Sequence, residues 1–275
     1  MNGRAVWTIA RRELRESLRH KWLWAYVIGF AALAMALSGA SLAAAGYAGL
    51  GGFGRTAASL VNALLLFVPL LGLSIGAGSV AGDRERGTLL YVLSQPVSRS
   101  EVLAGKVLGA GLALSLAVIL GFGLAALALS IGPAGDGSAF LAVAAYTLLL
   151  GWVMLGVGFL ISVSSKRAAP AFGIGLLVWI AFVFLSDLGV IGATLAFKPT
   201  PAMLLAALVV NPLQAYKLGA ILSLQSSLDV LGAIGQYATR QIGVGLPWAL
   251  AALLLVWAAA AFSTAFAIFS RRSDQ

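Results

Sequence analysis

The sequence contains no cysteine and a single histidine, His20. Without cysteine there is no disulfide, no thiolate metal site and no thiol nucleophile. Soft-metal chemistry is left with Met1, Met35, Met154 and Met203, scattered along the chain. Methionine fills packing gaps more often than it binds metal, so no metal site is expected. A phosphate-binding loop, G-x-x-x-x-G-K-[ST], is also missing. The Gly-Lys pair Gly105-Lys106 has Ser100 where the first glycine belongs and Val107 where the hydroxyl belongs. The chain is therefore not expected to be an enzyme or to hydrolyse ATP itself. Gly72-Leu73-Ser74-Ile75-Gly76 matches the G-x-S-x-G string of serine hydrolases. It lies inside an apolar run, however, and that chemistry needs a strand–turn–helix setting and a histidine base. It reads as a packing surface. Charge is scarce too: 10% of the residues are charged and 61% hydrophobic. Soluble proteins carry about 25% charged residues, so the solvent of this chain is largely lipid.

What the sequence does contain is six long apolar stretches, roughly 22–45, 57–81, 107–131, 139–163, 168–187 and 245–269. About 20 apolar residues cross the hydrocarbon layer as a helix, the one open-ended structure that satisfies its own backbone there. The uncharged stretch Trp22–Ala45 exceeds the roughly 7–15 residues of a signal-peptide core, so it is expected to be a retained first span. Gly72 and Gly76 form a small-xxx-small pair on the second span, with Ser74 and Gly78 extending that surface.

The basic residues orient the chain. Arg4, Arg11, Arg12, Arg15, Arg19 and Lys21 precede span one. Arg84, Arg86, Arg99 and Lys106 follow span two, Lys166 and Arg167 follow span four, and Arg271 and Arg272 follow span six. With both termini in the cytoplasm, all of these face inward, leaving Arg55, Lys198, Lys217 and Arg240 outside. This is the positive-inside pattern. The net charge of +9 thus serves topology and anionic headgroups rather than nucleic acid.

Three segments carry more information than the spans. Residues 4–21 place Val6, Trp7, Ala10, Leu14 and Leu18 on one helical face. Most charges, including Arg11, Arg12 and Arg15, lie opposite, and Arg12 can pair with Glu16. An interfacial helix on the inner membrane surface is expected. In the loop 83–101, Gly82 can end span two and Asp83 can cap a short helix interrupted by Gly87. Thr88–Leu93 then gives one or two amphipathic turns, Pro96 stops them, and Ser98 with Glu101 forms a capping box that starts span three. In the outer segment 188–244, Asn211-Pro212 breaks an apolar run, so short helices on or dipping into the outer face are expected instead of a seventh span. Asp187, at the outer end of span five, can meet water there.

The stretch Glu85-x-Gly87-Thr88-Leu89-Leu90, then Leu93-Ser94-x-Pro96-Val97-Ser98-Arg99 and Gly105-Lys106, resembles the signature loop of the ABC type-2 permeases. That resemblance implies one all-α permease domain over residues 1–275. It would have six transmembrane helices, an N-terminal interfacial elbow helix and a short cytoplasmic coupling helix. It also implies that Asp83, Arg84, Glu85, Arg86, Gly87, Thr88, Leu89 and Leu90 meet a separate ATPase, which holds the ATP and magnesium. Asn211, Pro212, Tyr216 and Leu218 are similar to the Asn-Pro…Tyr-Arg-Leu stretch of the permeases that serve nitrous oxide reductase maturation, with Lys217 in place of the arginine. This likeness implies a homodimer in a bacterial inner membrane with two ATPase subunits. A periplasmic partner handling copper or sulfur for a copper–sulfide centre would complete it. An exporter of lipid, drug or polysaccharide, or a scaffold without an ATPase, are the alternatives.

Overall fold

The computed structural model describes residues 3–32 except 20, 22 and 30, then 52–129, 137–185, 209–224 and 245–271, with the single positions 188, 200, 203 and 206. Every regular element among these residues is helical. Helix α1 spans Gly3–Leu18, α2 Gly52–Glu85, α3 Thr88–Leu93, α4 Arg99–Leu129 and α5 Gly137–Ser164. Helix α6 spans Ala168–Ile180 and continues into a π turn, Ala181–Leu185. Helices α7, Pro212–Leu224, and α8, Leu246–Arg271, complete the described fold. Residues 23–29 are helical as well.

Helices α2, α4, α5 and α8 are long and apolar enough to cross a membrane, and α6 is a shorter apolar helix. The four long helices match the expected spans two, three, four and six in order, and α6 falls where the fifth is expected. Most of the expected first span, Asp187, His20 and most of segment 188–244 lie outside the described residues.

One expected boundary is corrected. Gly82 does not end span two and Asp83 does not cap a new helix: α2 runs through both to Glu85. An interior glycine costs a helix only about 1 kcal/mol, and the Asp83 side chain bonds to other side chains instead. The chain breaks at Gly87, whose φ of 73° lies in the left-handed region that only glycine adopts freely.

Long helices joined by short inner connections lie antiparallel, so the bundle has two distinct ends. At one end, called inner after the expected orientation and the opposite one outer, lie the last turns of α2, α5 and α8, the first turns of α4 and α6, and all of α1 and α3. Leu89, Val102, Leu103, Val163 and Phe269 share a core there. At the other end Val61, Phe122, Val143, Tyr216 and Leu246 form a second core, into which α7 inserts.

Helix α5 sits at the centre of the bundle, packed on α2, α8, α7 and α4. Its approach to α2 is a backbone contact. A Cβ on Gly72 would stand 2.8 Å from the Gly151 carbonyl oxygen, and one on Gly158 2.8 Å from that of Leu73. A Cβ on Gly76 would stand closer still, 2.5 Å from the Leu155 carbonyl oxygen. Ser74 and Gly78 do not extend this seam, because four-residue steps around the helix put them on another face. Gly78 lies against the Phe172 ring of α6, and the Ser74 hydroxyl pairs with Tyr26.

Candidate functional site

The polar chemistry of the inner end converges on Lys106, whose side chain is 5% exposed. An ammonium has three protons to place, and all three have acceptors. Asp83 Oδ2 lies 2.6 Å from Nζ, Glu13 Oε2 2.9 Å, and the Ser79 carbonyl oxygen 3.1 Å. The carboxylates are satisfied in turn. Ser79 donates its hydroxyl to Glu13 Oε1 at 2.8 Å, while Thr88 and Arg86 donate to Asp83 Oδ1 at 2.9 and 2.8 Å. Arg86 also reaches Glu16 Oε1 at 3.4 Å, and its hydrogen bond to Asp83 raises its proton affinity above the ordinary value. One buried cation thereby fastens α1, α2 and α4 together, with Thr88 bringing in the start of α3.

Glycine makes this junction possible. A Cβ on Gly105 would sit 2.7 Å from Ile9 Cβ, and one on Gly109 2.6 Å from Glu13 Cβ. These two positions, four apart on α4, open the face on which α1 lies. Glu13 is thereby carried to Lys106, 93 residues away in the chain.

The four consecutive charges 83–86 each serve a different neighbour. Asp83 takes Lys106 of α4. Arg84 donates to the Ser165 carbonyl oxygen just past the end of α5, where a cation complements the helix dipole. Glu85 Oε2 accepts the Ala168 N–H at 2.9 Å, placing an anion at the start of α6. Arg86 reaches back to Glu16 on α1. Ser162 of α5 adds a further tie, accepting the Val80 and Ala81 N–H groups and donating to the Ala77 carbonyl.

Helix α3 rests on this platform. Leu89 is buried, whereas Leu90 and Tyr91 are 62% and 71% exposed. Beyond Pro96 the expected capping box is present: Ser98 N–H donates to Glu101 Oε2 at 2.9 Å and Glu101 N–H to Ser98 Oγ at 3.3 Å.

The expected residues of α1 divide. Leu14 packs on the inner core, and Arg11, Arg12 and Arg15 are exposed, with Arg12 4.0 Å from Glu16. Trp7 does not pack in the bundle: it is 61% exposed, as a side chain facing lipid from an interfacial helix would be. The packed face of α1 is centred on Val6, Ile9, Ala10 and Glu13, a quarter turn from the stripe that hydrophobicity alone marks. Glu13 was missed because its burial depends on a distant lysine. Lys106 is marked in the sequence by its place in the signature loop and by its charge, but not as the centre of a buried junction.

The outer-segment residues lie at the opposite end and do not join this site. Asn211 caps α7, accepting the Leu213 N–H on Oδ1 at 2.9 Å, and Pro212 occupies the first helical position. The Asn211 amide donates to the Phe182 carbonyl in the π turn. Tyr216 is fully buried, its hydroxyl 3.3 Å from Thr147 Oγ1, and Lys217 is half-buried.

Comparison with known proteins agrees with this architecture. The ABC-2 family transporter protein profile matches residues 7–273. A protein of Stutzerimonas stutzeri named "Probable ABC transporter permease protein NosY" is 35% identical over 274 residues, covering 97% of this chain and 98% of that one. A protein of Pseudomonas aeruginosa with the same name is 36% identical over 277 residues, again covering 97% and 98%. With its apolar spans, its helical fold and near full-length likeness to these permeases, this chain belongs to the ABC-2 transporter family and is a membrane permease.

Proposed function

We propose that this permease converts ATP hydrolysis by a separate ATPase into movement of its membrane helices, with α3 as the docking piece. The observation that carries this reading is the mounting of α3. Its inner side chain, Leu89, is locked into the bundle, while Leu90 and Tyr91 stand free. Its root is bound through Asp83 and Lys106 to three other helices. A push on Leu90 and Tyr91 therefore moves the ends of α1, α2 and α4 as a block, and Arg84 and Glu85 pass it to α5 and α6.

The fuller arrangement follows from the same reading. Six spans cross a bacterial inner membrane with both termini in the cytoplasm, and α1 lies along the inner surface as an elbow with its arginines among the headgroups. Two copies of the chain pair with two ATPase subunits, which hold ATP and magnesium. The naming of the relatives, together with the Asn211-Pro212…Tyr216-Lys217-Leu218 stretch, favours service to nitrous oxide reductase. In that role a periplasmic partner supplies copper or sulfur for its copper–sulfide centre. The permease itself lends motion or passes a sulfur species.

Two experiments separate the levels of this proposal. Co-purification in mild detergent should recover an ATPase subunit, and the double variant Leu90→Asp, Tyr91→Asp should lose it while remaining folded. Retention by that variant would overturn the docking role. Deleting the gene should leave nitrous oxide reductase without its copper–sulfide centre. Normal cofactor content would overturn that service and favour an exporter, leaving the ATPase test unaffected.

A further inference from the structure

Beside the ionic junction lies a cavity of about 520 Å³, bounded by α1, the helical residues 23–29, α2 and α6. Its two ends differ in chemistry. Glu16, Arg86 and Ser17 line one end, while Leu23, Leu71, Ile75 and Phe172 line the other. The size is that of a site for one small molecule, generally about 300–1,000 Å³.

The depth of the cavity narrows the choice of ligand. From Asp83 at the charged end to Leu71 at the apolar end, α2 rises about 18 Å at 1.5 Å per residue. One leaflet accounts for about 15 Å of a hydrocarbon core roughly 30 Å thick. The cavity is therefore one leaflet deep, polar where α2 ends and apolar where α2 is within the membrane. Its polar mouth offers both signs of charge. Glu16 is 48% exposed and Arg86 58% exposed, and they stand 3.4 Å apart as a long, solvent-facing pair that a head group bearing both charges can bridge, while Arg86 keeps its bond to Asp83 and Lys106 behind them is held by Asp83 at 2.6 Å.

We infer that this cavity is a binding site for one zwitterionic phospholipid with a primary ammonium head. The phosphate meets Arg86 and the ammonium meets Glu16, while an acyl chain runs between Leu71, Ile75 and Phe172. An anionic lipid would offer Glu16 no cation, and a soluble metabolite would leave the apolar walls uncovered. The inference rests on the membrane setting of α2 and not on the ATPase.

The test is native mass spectrometry of the full-length protein after equilibration with equal amounts of phosphatidylethanolamine and phosphatidylglycerol in mild detergent. The expected result is one retained phosphatidylethanolamine per chain. Glu16→Gln, at an exposed position, should keep the fold and lower the preference for phosphatidylethanolamine about tenfold, the size of a lost hydrogen bond to a charged group. Ser74→Phe, which fills the cavity from α2, should abolish retention while the protein stays monodisperse. Equal retention of the two lipids, a broad distribution typical of annular lipid, or unchanged preference in Glu16→Gln would each overturn the inference. If Ser74→Phe does not fold, the Glu16→Gln result decides alone.

Discussion

The two ends of the bundle are held by different physics. At the inner end, charges join the elements: Lys106 between Asp83 and Glu13, Arg84 on the end of α5, Glu85 on the start of α6. At the outer end, aromatic side chains carry single hydroxyl contacts. Tyr146 donates to the Pro247 carbonyl at 2.6 Å, and Tyr216 meets Thr147 at 3.3 Å. Phe122 and Phe140 stack edge to face, their centroids 5.3 Å apart. An ionic network is all or nothing, because removing one member strands a buried charge. Packing is graded, because its attraction is spread over many weak atom pairs, and loosening one ring leaves its neighbours in position. The proposed transmission of a push without slack suits the first kind. Repacking as the spans move, in the same proposal, suits the second.

The largest separation between the ends is expected for Lys106→Met. This leaves Asp83 and Glu13 facing each other in the core, a loss of about 3–5 kcal/mol. Thermal unfolding in detergent should show it, and adding Asp83→Asn and Glu13→Gln should recover most of the loss. A mild effect from Lys106→Met alone would erase the distinction. Next comes Gly76→Val in the seam between the ends, where overpacking costs about 1–3 kcal/mol and should lower the midpoint without touching the ionic network. The smallest effect is expected at the outer end, where Tyr146→Phe removes one hydrogen bond worth about 1 kcal/mol. If Tyr146→Phe proved as damaging as Lys106→Met, the outer end would be a rigid network too.

Local signals in the sequence were legible where both partners are close in the chain. Ser98 and Glu101 announce their capping box, Pro96 announces the end of α3, and the apolar runs announce α2, α4, α5 and α8. The inner junction was legible only as scattered charges. Glu13 and Lys106 find each other through the groove at Gly105 and Gly109, and nothing within a window of a few turns records that pairing. The face of α1 that packs, around Val6, Ile9, Ala10 and Glu13, is likewise set by the shape of α4 and not by hydrophobicity alone. At the outer end, Asn211-Pro212 was legible as a break. Its action as a cap that sends Tyr216 into the core depends on α5 and α8.

In the proposed coupling, α1 and α3 move as one body because Lys106 ties both, through Glu13 and Asp83. Spin labels at the exposed positions Arg11 and Gln95, in the permease assembled with its ATPase, would report their separation with and without ATP. One unchanged distance is expected in both states, and a distance that shifts with nucleotide once Lys106→Met is introduced. A distance that already changes with nucleotide in the native protein would contradict it.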